Sequence, residues 1–225
     1  RYYEYFLMIT TQLKKLDEIL GGGIKNALIT DIFGANGTGK THLALQISLK
    51  PLEEKLDVLF IDTTGEFRPE RLLEIIKNRD LQDSLLNNLK IARVTNTKEQ
   101  IKLLDKIKNL ENISLLIVDN VANLFAYEYS KKEQFMQKYT EFMKYMYDLA
   151  LIGLEKQIPI VITNQLLEKP NTEYEKLDFI INNFTHQKIK LKKIKNYYEG
   201  EVYHPFTNKQ KFCYNFGATG IIEQS

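Results

Sequence analysis

The octet Gly34-Ala35-Asn36-Gly37-Thr38-Gly39-Lys40-Thr41 constrains this chain more than any other segment. It satisfies G-x-x-x-x-G-K-[ST] at every fixed position. An apolar run at 27–33 precedes it and reads as a strand, and an amphipathic stretch at 41–49 follows and reads as a helix stopped by Pro51. Glycines at this spacing let consecutive backbone N–H groups turn inward around an anion, and the following helix adds the positive end of its dipole. A strand–turn–helix unit of this kind continues through right-handed crossovers. The chain is thereby committed to an α/β fold with a mostly parallel, twisted sheet flanked by helices.

The rest of the pattern agrees. A second strand is expected at 57–62, then a helix with Pro69 in its first turn and Leu72, Leu73, Ile75 and Ile76 on its apolar side. A third strand spans 88–94. Thr97, with Gln100 three residues on, reads as a capping box that opens a helix carrying Ile101, Leu104, Ile107 and Leu110. A fourth strand covers 114–119, and a long helix covers 131–156 with Phe135, Tyr139, Phe142, Met146 and Leu149 at helical spacing. A fifth strand spans 158–163. Beyond Gln165 the periodicity is lost, and 166–184 reads as a long loop. Lys188-Ile189-Lys190-Leu191-Lys192 then alternates with period two, a strand with lysines on one face, joined by 201–203 and 211–216 in an antiparallel extension. The expected organisation is one domain over 1–225, with an aromatic N-terminal extension at 1–9 and a C-terminal β extension at 186–222.

Composition narrows the function classes. Of 225 residues, 44% are hydrophobic and 27% charged, which excludes a disordered chain or a membrane bundle. The most apolar runs are strand-length. One cysteine, Cys213, rules out a disulfide framework, and three scattered histidines (His42, His186, His204) argue against a histidine-rich metal site. The start Arg1-Tyr2-Tyr3-Glu4-Tyr5-Phe6 lacks the form of a signal peptide, so a cytoplasmic, nucleoid-associated protein is expected. A net charge of +2 gives no global attraction to nucleic acid, but Lys188, Lys190, Lys192, Lys193 and Lys195 concentrate positive charge locally.

Gly34 to Thr41 would cradle a phosphate chain, with Lys40 reaching the β- and γ-phosphates and the Thr41 hydroxyl ligating magnesium. Magnesium needs a second anchor, and Leu115-Leu116-Ile117-Val118-Asp119 offers a carboxylate at the end of an apolar strand. Asp62 ends another strand and is the weaker competitor. The cofactors expected are ATP and Mg2+.

Several further segments resemble the RecA/RadA recombinase family in its archaeal and eukaryotic branch. Leu16-Asp17-Glu18-Ile19-Leu20-Gly21-Gly22-Gly23-Ile24 is similar to the family's lead-in to the phosphate-loop strand. The segment Phe60-Ile61-Asp62-Thr63-Thr64-Gly65-Glu66-Phe67-Arg68-Pro69-Glu70-Arg71-Leu72 resembles its second-strand signature. Ala92-Arg93-Val94-Thr95-Asn96-Thr97 and Val161-Ile162-Thr163-Asn164-Gln165 match its third-strand region and the end of its core. The resemblance implies a RecA-type ATPase core that binds single-stranded DNA in recombinational repair. It implies that Gln165 senses the γ-phosphate, that Arg71 lies near the adenine, that His42 joins Gly34 to Thr41 among the nucleotide-binding residues, and that 125–134 and 166–183 are the first and second DNA loops. Tyr127, Tyr129, Lys131, Lys132, Lys188, Lys190 and Lys192 are the expected DNA contacts.

Four departures shape the functional expectation. The family carries a glutamate to orient the attacking water where this chain has Thr64, and a hydroxyl is no general base near neutral pH. Glu66 is the candidate substitute, displaced by about 7 Å along an extended chain. No F-x-x-A docking motif occurs, and Phe6 is followed by Ile9 at that spacing. His204-Pro205 stands where the family has an aspartate near a proline. Glu168, Glu173, Glu175 and Asp178 make the second loop acidic. The chain is therefore similar to RadB-type or other archaeal paralogues of RadA. It is expected to bind ATP and hydrolyse it weakly, to assist a RadA-type recombinase, and to remain a monomer or small oligomer without long filaments. An active DNA-dependent ATPase or a KaiC-like signalling ATPase is the alternative.

Overall fold

The computed structural model describes residues 8–169, 172–203 and 209–224. In chain order the elements are β1 (Met8–Ile9), α1 (Lys14–Leu20), β2 (Ile24–Lys25), β3 (Ile29–Gly34), α2 (Lys40–Glu53), β4 (Asp57–Asp62), α3 (Pro69–Asn78), β5 (Leu89–Arg93), α4 (Thr97–Lys108) and β6 (Ile113–Asp119). They continue with α5 (Asn123–Glu128), α6 (Phe135–Lys156), β7 (Ile160–Lys169), β8 (Thr172–Glu175), α7 (Asp178–Ile181), β9 (Thr185–Ile194), β10 (Tyr197–Tyr203), β11 (Gln210–Gly217) and β12 (Gly220–Glu223).

Among the described residues, β1 and β2 form a small ribbon and the other strands one ten-stranded sheet, ordered β12-β11-β10-β9-β3-β7-β6-β4-β5 with β8 paired to β7. From β9 to β5 every neighbouring pair is parallel, and β10 to β12 add antiparallel strands at one side. Strand alternation then sorts the core. Val58 and Phe60 of β4, with Leu115 and Ile117 of β6, face α1, α2 and α3. Leu59, Ile61, Leu116 and Val118 face α4, α5, α6 and α7 on the opposite side. The register aligns Gly34 with Gln165 and Asp62 with Asp119, so the carboxyl ends of β3, β7, β4 and β6 open onto one rim. Open α/β sheets bind ligands at such a rim.

Three local expectations change. Pro51 does not stop α2, which runs on to Glu53. Pro51 forfeits one i→i−4 bond there, and fully buried Leu52 gives the extra turn a packing reason. The cap of α4 is Asn96, which accepts from Glu99 N at 2.9 Å, while Glu99 in turn accepts from Thr95 N. Gln100 instead donates to Val121 O from a buried position. The third and largest change concerns 166–184, which is not a loop. β7 projects past the sheet as far as Lys169 and folds back through β8, pairing Leu166 with Glu175 and Leu167 with Tyr174, and the short α7 follows. Acidic side chains here meet lysines of β9, so the polar composition that hid the hairpin is what closes it. The aromatic residues Tyr2, Tyr3, Tyr5 and Phe6, and also His204-Pro205, lie outside the described residues.

The C-terminal strands are held by a carboxylate with two lysine partners. Glu201 of β10 sits 2.8 Å from Lys192 Nζ and 3.4 Å from Lys211 Nζ, and accepts from Tyr203 OH. Burial alone would raise its carboxyl, but Lys192, Tyr203 and Lys211 override this and bring it down to about 2 from an ordinary 4.5. A folded value below the unfolded one stabilises the fold above the ordinary carboxylate range and is lost as pH falls toward the folded value. Thermal unfolding followed against pH should show wild-type stability declining between about pH 4.5 and 2. Glu201→Gln should lower stability near pH 7 by about 2 kcal/mol and flatten that acid limb. An unchanged limb in the variant would contradict this assignment.

Candidate functional site

The phosphate loop leaves β3 and enters α2. Gly34 is required by close approach: a Cβ built there would lie 2.3 Å from Leu191 O on the neighbouring strand β9. Gly39, which caps α2, has φ +95°, and a Cβ there would lie 2.8 Å from the ring of Phe216. The loop is braced internally, Thr38 Oγ1 donating to Ala35 O at 2.8 Å and Lys40 Nζ donating to the same carbonyl at 2.9 Å. It is also braced from the C-terminal extension, where the buried Tyr214 of β11 donates its hydroxyl to Thr38 O at 2.5 Å.

Around this loop lies a cavity of about 650 Å³ whose lining includes Asn36, Lys40, Thr41, Glu66, Asp119 and Gln165. Thr41 Oγ1 donates to Asp119 Oδ2 at 2.6 Å, and Thr163 donates to the other carboxylate oxygen. Burial pushes the Asp119 carboxyl up, against the hydrogen bonds from Thr163 and Thr41 and the charge of Lys40. Burial likewise lowers Lys40, with Asp119 and Glu66 acting the other way. A hydroxyl and one carboxylate suit a hard cation that takes its other oxygens from phosphate and water. Among the described residues, no group of three or more His, Cys, Asp or Glu is placed to hold a metal ion. Thr41 and Asp119 thus fit magnesium, which would neutralise phosphate charge there. Asp62 does not join them. Its Oδ1 accepts from Thr64 N, Thr64 Oγ1 and Gly65 N, so this carboxylate shapes the turn after β4.

The other expected site residues separate into groups. Thr64 and Glu66 both line the cavity, and the Thr64 hydroxyl is committed, donating to Asp62 and accepting from Glu66 N at 3.1 Å. Gln165, midway along β7, donates from Nε2 to Asn36 Oδ1 at 3.3 Å, so this strand touches the phosphate loop. Arg71 and His42 line the same cavity, joined by Phe216, which the sequence reading did not single out. Burial, then the charge of Arg71, lowers the His42 imidazole.

The expected DNA contacts fare unevenly. Tyr127 is 80% exposed, and Lys131 and Lys132 are exposed next to it in sequence. Tyr129 is not presented for stacking: it packs against the core and donates to Glu141 at 2.8 Å. The free basic face expected of β9 is corrected. Lys188 bridges buried Asp31 at 3.1 Å and Glu175 at 2.5 Å, Lys190 pairs with Glu173 at 2.5 Å, and Lys192 pairs with Glu201 at 2.8 Å. Burial and then the charge of Glu175 raise the Asp31 carboxyl well above its ordinary range. Asn164 ties this cluster to Gln165, donating to Glu175 Oε1 at 2.8 Å and Lys176 O at 2.7 Å while accepting from Gln165 N.

A complete phosphate loop at the carboxyl rim of a parallel sheet, with the Thr41 hydroxyl and the Asp119 carboxylate meeting beside it, defines a P-loop α/β domain. The sequence profile of the Rad51 family matches residues 3–183, and the chain belongs to that family, the RecA/RadA group. It is 32% identical over 181 residues to the DNA repair and recombination protein RadA of Ignicoccus hospitalis. That alignment takes in 74% of this chain and 55% of the relative, so the chain spans about half the length of the curated protein it matches.

Proposed function

We propose that this protein binds ATP with Mg2+ and acts in homologous recombination and DNA repair as an accessory to a RadA-type recombinase, holding nucleotide and turning it over slowly. The observation that carries this reading is a full phosphate cradle with a paired Thr41 and Asp119, beside a wall whose position 64 offers a hydroxyl already bonded to Asp62. Phosphate binding needs the first set of groups, and water activation needs a base that Thr64 is not. Lys40 and Gln165 would contact the terminal phosphate, and Gly34 to Thr41 would hold the chain of phosphates. A RadA-type recombinase is the partner, and the chain works as a monomer or small oligomer near the nucleoid. Titration of magnesium–ATP by calorimetry, with phosphate release followed on the same sample, tests the reading. It expects saturable binding with slow release.

One observation favours a second reading. Glu66 lines the cavity close enough to act on the charge of Lys40, so a carboxylate stands within the site. If Glu66 serves as the base, the protein is an active DNA-dependent motor, and Glu66→Gln should abolish its turnover.

Single-stranded DNA would meet the exposed Tyr127, Lys131 and Lys132, whereas the lysines of β9 are engaged by carboxylates. In anisotropy titrations at fixed salt, the triple variant Tyr127→Ala, Lys131→Glu, Lys132→Glu should bind oligonucleotide at least about 10-fold more weakly. Lys190→Gln should stay within about twofold of wild type. The reverse order would return the DNA surface to β9.

A further inference from the structure

Helix α6 is apolar on two sides. Its inner side sends Phe142, Tyr145, Met146, Leu149 and Ile152 into the core. Its outer side carries Met136, Thr140, Met143, Tyr147, Ala150 and Leu154, alternately four and three residues apart. That is the spacing of a coiled-coil seam, here a single stripe along most of the helix. The core accounts for the inner side and leaves the stripe unused: Met136 is 66% exposed, Tyr147 54% and Leu154 56%. The stripe borders a groove of about 450 Å³ whose lining includes Tyr139, Met143, Tyr147 and Phe184. On that flank the exposed Phe179 stacks on Tyr139 with ring centroids 5.5 Å apart. A continuous apolar band facing water marks a surface that another chain covers.

The order of residues along the stripe is complementary to itself. Two copies of α6 laid antiparallel bring Met136 to Leu154, Thr140 to Ala150 and Met143 to Tyr147, each seam position facing one of the other kind. The small pair, Thr140 with Ala150, lets the helix axes approach between layers of larger side chains. Charge agrees with this arrangement. Lys144 and Asp148 lie along one flank of the stripe, and the antiparallel pairing sets Lys144 beside Asp148 of the second copy, twice over by symmetry. Among the described residues, no ion pair within the chain engages either of them. In a parallel pairing the same flank would face the apolar side of Tyr139 instead. We infer that the outer face of α6 joins two copies of this protein, antiparallel, into a dimer. An isologous contact of this kind closes on itself, so it gives a dimer and no filament. The 22-residue helix is about 33 Å long, and a seam of that length belongs to the small, reversible class of interface. None of the stripe residues lines the phosphate cavity, so the inference stands apart from the nucleotide reading.

Sedimentation equilibrium on the full chain at micromolar concentrations, without nucleotide or DNA, reads the association. Wild type should pass from monomer to dimer as concentration rises, and no further. Tyr147→Lys, at an exposed position, should weaken the dimer at least about 10-fold. Thr140→Leu adds apolar area to a seam layer and should tighten it at least about threefold. This gain cannot come from a damaged fold, and circular dichroism checks the other variants. Lys144→Glu should weaken the dimer, and Lys144→Glu combined with Asp148→Lys should restore it, because the two charges are only exchanged. A wild type that stays monomeric at every concentration would overturn the proposal, whether another protein covers the face or nothing does. Assemblies larger than a dimer would also overturn it. A dimer indifferent to both Tyr147→Lys and Thr140→Leu would place the contact elsewhere on the molecule. Failure of the charge exchange to restore association would exclude the antiparallel pairing.

Discussion

Thr64→Glu should raise magnesium-dependent ATP turnover by about 100-fold, the lower part of the range a positioned general base contributes. Such a gain corresponds to about 2.7 kcal/mol off the barrier. Residue 64 follows the carboxyl end of β4 and lines the cavity that holds Lys40, Thr41 and Asp119. Its hydroxyl has a pKa far above neutrality, and its geometry is already spent on the turn, donating to Asp62 Oδ1 at 3.1 Å and accepting from Glu66 N. A carboxylate there would bring an ionised acceptor to the water beside the terminal phosphate. Thr64→Gln supplies similar bulk without basicity and should stay slow. Glu66→Gln separates the competing base: it should leave the slow wild-type rate within about twofold. Collapse of turnover in Glu66→Gln, with no gain in Thr64→Glu, would assign the base to Glu66.

Lys40→Ala should weaken magnesium–ATP binding by at least about 100-fold. Lys40 is the one cation of the cradle whose charge is held between Asp119 and Glu66, and burial lowers its affinity for a proton. A phosphate chain supplies the countercharge that makes a buried ammonium favourable, and charge-assisted bonds of this kind are among the strongest a protein forms. Removing it leaves phosphates facing Asp119 without compensation. Calorimetry or competition against a fluorescent nucleotide reads the loss. Lys40→Arg should not rescue, because a planar fork does not fit where a point charge bonds Ala35 O at 2.9 Å. Binding retained within threefold in Lys40→Ala would place the nucleotide elsewhere.

The parts of this molecule that local chemistry decides were legible in its sequence. The strand of Leu115 to Val118 announces burial on both faces, and its residues do divide between the two cores. The phosphate loop lay between strand and helix as its spacing requires, and Asp119 reached Thr41 across the register that pairs Asp119 with Asp62. What escaped depended on partners distant in the chain. Lys188, Lys190 and Lys192 alternate like a solvated basic face, but their carboxylates come from β3, β8 and β10. The hairpin of β7 and β8 was hidden for the same reason, since a polar strand shows no period-two contrast when its polar groups pair. Phe216 had no local mark at all: an aromatic at the end of a strand usually packs, and only the return of β11 to the start of α2 brings it to the cavity. Asn96 and Thr97 compete for one cap, and one residue of register decided it.

The central claim is that this Rad51-family chain holds nucleotide without turning it over at speed. The measurement that meets it most directly is bound nucleotide and released phosphate, followed together in one magnesium–ATP sample with and without single-stranded DNA. Saturating nucleotide occupancy with negligible phosphate release, changed little by DNA, is the result predicted. Rapid release that rises several-fold when DNA is added would contradict it and identify an active motor with Glu66 as its base.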